Sequence, residues 1–300
     1  MFVHRRSSYP MWHENAWLRA GRRARVLARN RPALLSVLFL TVVLVVVLCP
    51  KLFTAYGPYA FVDENGSPEI PLERPTQRHP FGTDELGRDI LSRVVYGARI
   101  SLGSGAAVIV FVVTVGTLVG MIAASRGGMF DEIVMRISDV FQAFPPLIIA
   151  IVFIGFLGPS LYNGLMALAL IWWPQYARLA RGVTLSTLQS EYVGAARAVG
   201  APGSRVLWRH VLPNSVSPTL VKASLDLGQV ILIVGALSFL GLGVQPPTPE
   251  LGALVTHGRR YILTAWWYST FPGMAIFLII LALNFLGDGI RDILDPMTFS

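Results

Sequence analysis

Long stretches without a charged side chain constrain this fold more than any other feature of the sequence. Ile100 to Ser125 contains no Asp, Glu, Lys or Arg, and Val140 to Ala177 is a 38-residue run of the same kind. A helix crosses the hydrocarbon core of a bilayer in about 20 apolar residues. With 53% apolar and only 14% charged residues, the sequence predicts an all-α integral membrane protein that crosses the membrane several times.

Six transmembrane helices are predicted from the apolar runs and the residues that interrupt them. The longest run exceeds one span, and Gly158, Pro159 and Ser160 divide it. The predicted spans are TM1 at 32–50, TM2 at about 100–125, TM3 at about 140–157, TM4 at about 161–177, TM5 at about 218–240 and TM6 at about 268–286. The other predicted segments are a basic N-terminal segment at 1–31, an external loop with an interfacial helix at 51–99 and a core domain at 100–300, which includes an inner loop at about 178–217.

Arginine placement predicts the orientation in the membrane. Eight arginines precede the first span, and others lie between Arg178 and Arg209. Basic residues favour the cytoplasmic side, so six spans place both termini in the cytoplasm. The net charge of +8 is thus explained by orientation better than by nucleic-acid binding.

The sequence predicts no catalytic, cofactor-binding or metal site in this chain. Its only lysines are Lys51 and Lys222, so it cannot contain a Gly-x-x-x-x-Gly-Lys-Ser/Thr phosphate loop. Cys49 is the only cysteine and can form no internal disulfide. The five histidines lack ligand spacing, and no Gly-x-Ser-x-Gly elbow is present.

The inner loop carries a short segment with unusual composition. Good helix formers extend from Glu191 to Val199, and Gly200 is predicted to stop the helix. Ala195 and Ala196 would let another protein approach the helix backbone closely. Arginines at the rim, at positions 197, 205 and 209, suit acidic groups on that protein. The alternative is an ordinary basic loop that helps to set the topology.

Several blocks resemble one family of membrane proteins. The block from Tyr192 to Asn214 resembles the cytoplasmic coupling loop of ABC importer permeases, and His79 to Leu102 resembles the segment before the second span of dipeptide and oligopeptide permeases. Leu237 to Pro249 and Asn284 to Pro296 complete the match. The chain is similar to the smaller-subunit type in the peptide and nickel branch. This resemblance implies the type I ABC importer permease (MetI-like) fold.

The resemblance implies a non-catalytic permease subunit in the cytoplasmic (inner) membrane, coupled to motors on other chains. The residues expected to contact the ATPase are Glu191, Gly194, Ala195, Ala196, Arg197, Gly200, Leu212 and Pro213. The expected partners are a homologous second permease, two ATP-binding subunits or domains that hold ATP and Mg²⁺, an extracytoplasmic substrate-binding protein and the lipid bilayer, with no nucleic acid. Where the general motif begins Glu-Ala-Ala, this chain has Gly194, and the nearest acid is Glu191.

Function and substrate leave alternatives open. The resemblance implies ATP-driven, binding-protein-dependent import of dipeptides or oligopeptides, with nickel, glutathione-like peptides or other small cargo as alternatives. A self-sufficient secondary transporter or channel is the alternative of another class, for which Asp226 and the Pro145-Pro146 pair are the only signals.

The remaining charged residues are expected to serve structure. Capping and solvation explain the outer acids Asp84, Glu85 and Asp89, and ion pairing explains the inner residues Asp131, Arg136 and Asp139. Lys222 and Asp226 have the spacing to pair on one helix face. The sequence leaves several interpretations of this pair open: a place in the substrate pathway, or snorkelling or packing against the inner loop near the cytoplasmic end.

Overall fold

The computed structural model describes residues 31–61 and 70–294, and its regular structure is helical. Within these two ranges the only strand-like pairing is an isolated bridge between Thr83 and Asp89. The predicted basic segment, apart from Arg31, lies outside the described residues, as do residues 62–69 of the predicted external loop.

Ten α-helices occur in the described part of the chain. They are α1 (Arg31–Leu48), α2 (Ile90–Arg126), α3 (Gly128–Gln142), α4 (Pro146–Leu157), α5 (Leu161–Leu188), α6 (Glu191–Ala198), α7 (Gly203–Val206), α8 (Leu212–Phe239), α9 (Leu251–Gly258) and α10 (Trp266–Leu294). Short 3-10 helices cover Pro50–Leu52 and Arg259–Tyr261, and a π-helical segment, Leu207–Val211, joins α7 to α8.

Length and hydropathy single out the helices that can cross a membrane unaided. Within the described ranges they are α1, α2, the continuous stretch from α7 to α8, and α10. A fifth crossing results if α3 and α4 form one span, although they meet at 90°. The bend lies at Pro145 and Pro146, where a missing backbone N–H and the proline ring end the helix. The remaining long helix, α5, is packed inside the bundle.

The helices extend beyond the apolar runs that predicted the spans. α2 begins at Ile90, so the interfacial helix expected in the external loop is instead the first part of α2. Its start is fixed by Asp89, whose Oδ2 accepts the backbone N–H of Ser92 at 2.7 Å. α5 likewise continues to Leu188, and α8 begins at Leu212 rather than near 218. The helices are therefore longer than the apolar runs that they contain.

Charged groups fold the outer loop onto the start of α2. Asp84 is fully buried, accepts from Arg88 Nε at 2.7 Å and lies 3.4 Å from Arg93 Nε. The capping role predicted for Asp89 is confirmed, and its Oδ1 also lies 3.0 Å from His79 Nδ1. The solvation predicted for Asp84 is wrong, because neighbouring guanidinium groups replace water around this carboxylate.

Two glycines bring α2 and α5 into close contact. A Cβ at Gly120 would lie 2.0 Å from the carbonyl oxygen of Ala177, and one at Gly116 would lie 2.6 Å from that of Trp173. Small residues permit this approach between membrane helices. The contact holds the inner end of α2 beside the inner end of α5, which together form the base of the inner loop.

Candidate functional site

The candidate site is the helix α6, Glu191–Ala198, which forms as predicted. Glu191 lies in its first turn and Arg197 in its last, an order that matches the helix dipole. The chain reverses at Gly200, whose φ of +85° is in the left-handed region that favours glycine. The Gly200 N–H donates to the Arg197 carbonyl at 2.9 Å, so a tight turn closes the helix.

One apolar side chain anchors α6 to the bundle. Val193 is fully buried in a cluster with Met121 of α2 and Ala180 of α5. Val206 and Val211 complete the cluster, and Leu188, Ala201, Leu207 and Leu212 pack around it. Because these residues come from both sides of the inner loop, α6 is fixed to the inner ends of the long helices.

A hydrogen-bonded bracket ties α6 to the beginning of α8. Asn214 Nδ2 donates to Tyr192 Oη at 2.8 Å and to the His210 carbonyl at 2.8 Å. The rings of Tyr192 and His210 lie 5.7 Å apart between centroids. The sequence prediction missed Tyr192, Val193 and Asn214 as supporting residues. Val193 was visible as an apolar residue flanked by polar or small ones, but no sequence signal pairs Tyr192 with Asn214 across 22 positions.

Most of the predicted contact residues lie on the exposed side of α6. Glu191, Gly194, Ala195 and Arg197 are exposed, and Ala196 is half-buried. A Cβ built at Gly194 meets no atom within 4 Å. The chain itself therefore does not require glycine at this position.

The two predicted residues beyond α6 have different surroundings. Leu212 packs against the anchoring cluster around Val193, whereas Pro213 is exposed in the first turn of α8. Proline is well suited to a first helical turn because that position needs no N–H donor. Leu212 thus supports the loop, and Pro213 lies at its surface.

Ion pairs link α3 to α5 along most of the length of α3, and the predicted ion pairing is confirmed. Arg181 donates from Nη2 to Asp131 Oδ2 at 2.7 Å, and Arg178 pairs with Asp139. Arg136 forms an exposed pair with Glu132 at 3.6 Å. The pairs of Arg178 and Arg181 hold the amphipathic helix α3 against the part of α5 that leads into α6, whereas the Arg136 pair lies within α3.

Lys222 and Asp226 pair across one turn of α8, as their spacing predicts, with Nζ and Oδ2 3.0 Å apart. Their hydrogen-bond partners belong to α5 and not to the inner loop: Gln175 Oε1 lies 2.9 Å from Lys222 Nζ, and Tyr176 Oη donates to Asp226 Oδ2 at 2.8 Å.

Comparison with known proteins gives consistent matches. The model of the family described as "Binding-protein-dependent transport system inner membrane component" matches residues 116–299. A dipeptide transport system permease protein of Alkalihalophilus pseudofirmus is 40% identical over 90% of this chain and 87% of its own length. A probable D,D-dipeptide permease of Escherichia coli is 41% identical over 84% and 85%, and a glutathione permease of Pectobacterium atrosepticum is 44% identical over 75% and 74%.

A solved structure shares the fold. The MetNI methionine ABC transporter in inward-facing conformations matches with a TM-score of 0.55 at 19% identity, over 68% of this chain and 97% of the matched chain.

Proposed function

We propose that α6 is the contact through which separate ATPase subunits drive peptide import. The proposal starts from the family of the chain, which belongs to the binding-protein-dependent transport system inner membrane components. The chain is a multi-pass inner-membrane permease subunit of an ABC importer, as predicted. The predicted all-α, type I ABC importer permease (MetI-like) fold is also confirmed. The orientation of the termini stays a prediction.

The observation that carries the proposal is a small-residue helix exposed on a rigid base. Gly194 and Ala195 leave the α6 backbone open to a partner, while Val193 ties the helix to the long helices. A helix held in this way moves with the inner ends of α2 and α5. A movement of α6 that is caused by a motor protein is therefore transmitted to the membrane-spanning helices.

Charge gives the contact its chemistry. Arg197, Arg205 and Arg209 are exposed around the end of the loop and suit acidic side chains of an ATPase. Glu191, one turn before Ala195, supplies the carboxylate nearest to the position where the general motif has glutamate. We assign it that role because it is exposed in the first turn of α6.

Coupling requires that the motor distinguish two arrangements of the permease. A partner that binds both arrangements equally shifts neither of them. In this proposal the closed, ATP-bound motor pair binds α6 better in one arrangement. The turn at Gly200 and the anchoring of Leu212 set the angle of the helix, so those residues affect coupling without touching ATP.

The proposed assembly contains the partners that the chain lacks. They are a homologous second permease, two ATP-binding subunits or domains that hold ATP and Mg²⁺, and an extracytoplasmic substrate-binding protein. Relatives named for dipeptides support di- or oligopeptide cargo, and the glutathione relative supports a wider class of small peptides. This chain contributes the path and not the hydrolysis.

Reconstitution distinguishes this function from a secondary transporter. Vesicles that contain only this chain are expected to take up no radiolabelled dipeptide, with or without an ion gradient. Vesicles with the whole complex and binding protein are expected to take it up only when ATP is present on the motor side. Gradient-driven uptake by the chain alone would contradict the proposal and favour the secondary-transporter alternative.

A further inference from the structure

A small polar cluster lies between α5 and α8 in the otherwise apolar bundle. Its members are Lys222 and Asp226 of α8 with Gln175 and Tyr176 of α5. Asp226 and Tyr176 are buried, whereas the side chain of Lys222 is 28% exposed and Gln175 is half-buried. The cluster therefore has a covered side within the subunit and an open side on its surface.

The position of the cluster along α8 indicates what its open side faces. Lys222 and Asp226 are the only charged residues of α8. At about 1.5 Å per residue, Lys222 lies about 6 Å and Asp226 about 12 Å along the helix axis from Pro218, where the predicted span begins. An ammonium group within a membrane span is costly against lipid and is normally directed to a protein partner or a water-filled cavity. The open side of the cluster thus faces something other than lipid.

Snorkelling does not explain the position of the ammonium group. A snorkelling lysine directs its Nζ toward the nearer aqueous surface, which for α8 is the end at Leu212. Nζ instead lies 3.0 Å from Asp226 Oδ2, one turn farther from that end. Asp226 is held in turn by Tyr176 Oη at 2.8 Å. The cluster keeps the ammonium inside the bundle.

The ammonium retains capacity for another ligand. Lysine has three N–H donors, and within the described residues two protein groups accept from Lys222: Gln175 Oε1 at 2.9 Å and the Asp226 carboxylate. The Asp226 carboxylate is covered and its charge fixes the ammonium, which also lies 5.4 Å from the centroid of the Tyr176 ring, whereas the Lys222 side chain as a whole is 28% exposed. A carboxylate is a suitable third partner, because charge-assisted hydrogen bonds of this kind are strong.

We infer that the Lys222 face of α5 and α8 lines the substrate path, and that Lys222 provides the cationic contact for the carboxylate of a passing peptide. Asp226, Tyr176 and Gln175 act as positioning residues for Lys222. The inference rests on the proposed function, since it presumes peptide cargo carried by the assembled importer.

Cysteine labelling in the assembled importer tests whether the face is aqueous. In a Cys49→Ser background, Lys222→Cys and Gln175→Cys are each exposed to a membrane-impermeant, anionic methanethiosulfonate reagent. Leu220→Cys is the matched control, since Leu220 lies on another face of α8 and is 51% exposed in this subunit. Positions 222 and 175 are expected to react at least about tenfold faster than position 220, and more slowly when peptide and binding protein are present.

Charge variants test the contact with substrate. Lys222→Met is expected to lower dipeptide uptake by about tenfold or more, the effect of losing one hydrogen bond between charged groups. Lys222→Arg should keep most of the uptake. The Lys222→Met, Asp226→Asn double variant is expected to stay as defective as Lys222→Met, whereas a pair with a purely structural role would recover when both charges are removed.

These results separate the inference from the proposed function. The same membranes are tested for ATPase subunits that co-purify with the chain. Their absence from the unmodified chain would refute the proposed function. If they are present, equal labelling at positions 222, 175 and 220, or recovered uptake in the double variant, overturns the role of Lys222 alone.

Discussion

Gly194→Leu tests whether the exposed side of α6 contacts the ATPase, because the substitution is expected to affect ATPase binding and not the folding of this chain. Gly194 lies inside α6, is exposed, and has no atom within 4 Å of a built Cβ. Replacing a helical glycine by leucine favours the helix by about 0.5–1 kcal/mol. Gly194→Leu is therefore expected to leave folding and membrane insertion unchanged or slightly improved.

Binding of the ATPase, in contrast, should be weaker to Gly194→Leu than to the unmodified chain. If α6 is seated closely in an ATPase groove, the added side chain overpacks that contact at a cost of about 1–3 kcal/mol. Such a cost weakens binding by about 5-fold to about 150-fold. The dose of ATPase needed to saturate purified permease, measured by pull-down in mild detergent, should rise by that factor, and peptide uptake should fall.

Gly182→Leu is the matched control for this experiment. Gly182 is also helical and exposed, and it also has no atom within 4 Å of its built Cβ, but it lies on α5 outside the proposed contact. The Gly182→Leu variant should bind the ATPase as the unmodified chain does. Unchanged binding and uptake by Gly194→Leu, with equal amounts of folded protein, would refute the assignment of α6 as the contact.

Other substitutions probe the turn, the helix packing and the inner ion pair. Gly200→Asp should abolish transport but leave membrane insertion intact. A side chain at a φ of +85° destabilises the turn by about 1–2 kcal/mol, and the new charge alters the turn further. Normal peptide uptake by this variant would contradict the prediction. Gly120→Val should lower thermal stability in detergent, since its Cβ meets the Ala177 carbonyl; an unchanged melting temperature would refute the close contact. Asp131→Asn should weaken stability by only about 1 kcal/mol or less, because its pair with Arg181 is partly exposed; a large loss would show a greater role.

The sequence predicted what depends on local composition. Uncharged runs predicted six spans, whereas among the described helices four can cross a membrane alone and a fifth crossing requires α3 and α4 together. The small residues after Glu191 and the glycine at position 200 predicted α6 and its turn. Apolar length alone did not show where helices end in water, so α2 and α8 begin earlier than predicted. The first turns of α8 include Pro213, Asn214 and Ser215, and those of α2 include Val94 and Val95, so helix propensity did not indicate these earlier starts either.

Sequence patterns did not predict contacts between residues that lie far apart in the chain. The spacing of Lys222 and Asp226 predicted their pair, but nothing indicated Gln175 and Tyr176 as partners from another helix. Likewise, the burial of Asp84 depends on guanidinium groups that fold back onto it. Such networks follow from helix packing, which one sequence does not specify position by position.

The most direct test of the account is to identify what the chain binds in its native membrane. A tagged copy is extracted in mild detergent, and the retained proteins are identified by mass spectrometry. The account predicts a second permease of similar architecture together with ATPases that carry phosphate loops. Gly194→Leu should retain the second permease but less ATPase, whereas Gly182→Leu should retain both normally. Recovery of the unmodified chain without any ATPase, in a preparation that still transports peptide, would contradict it.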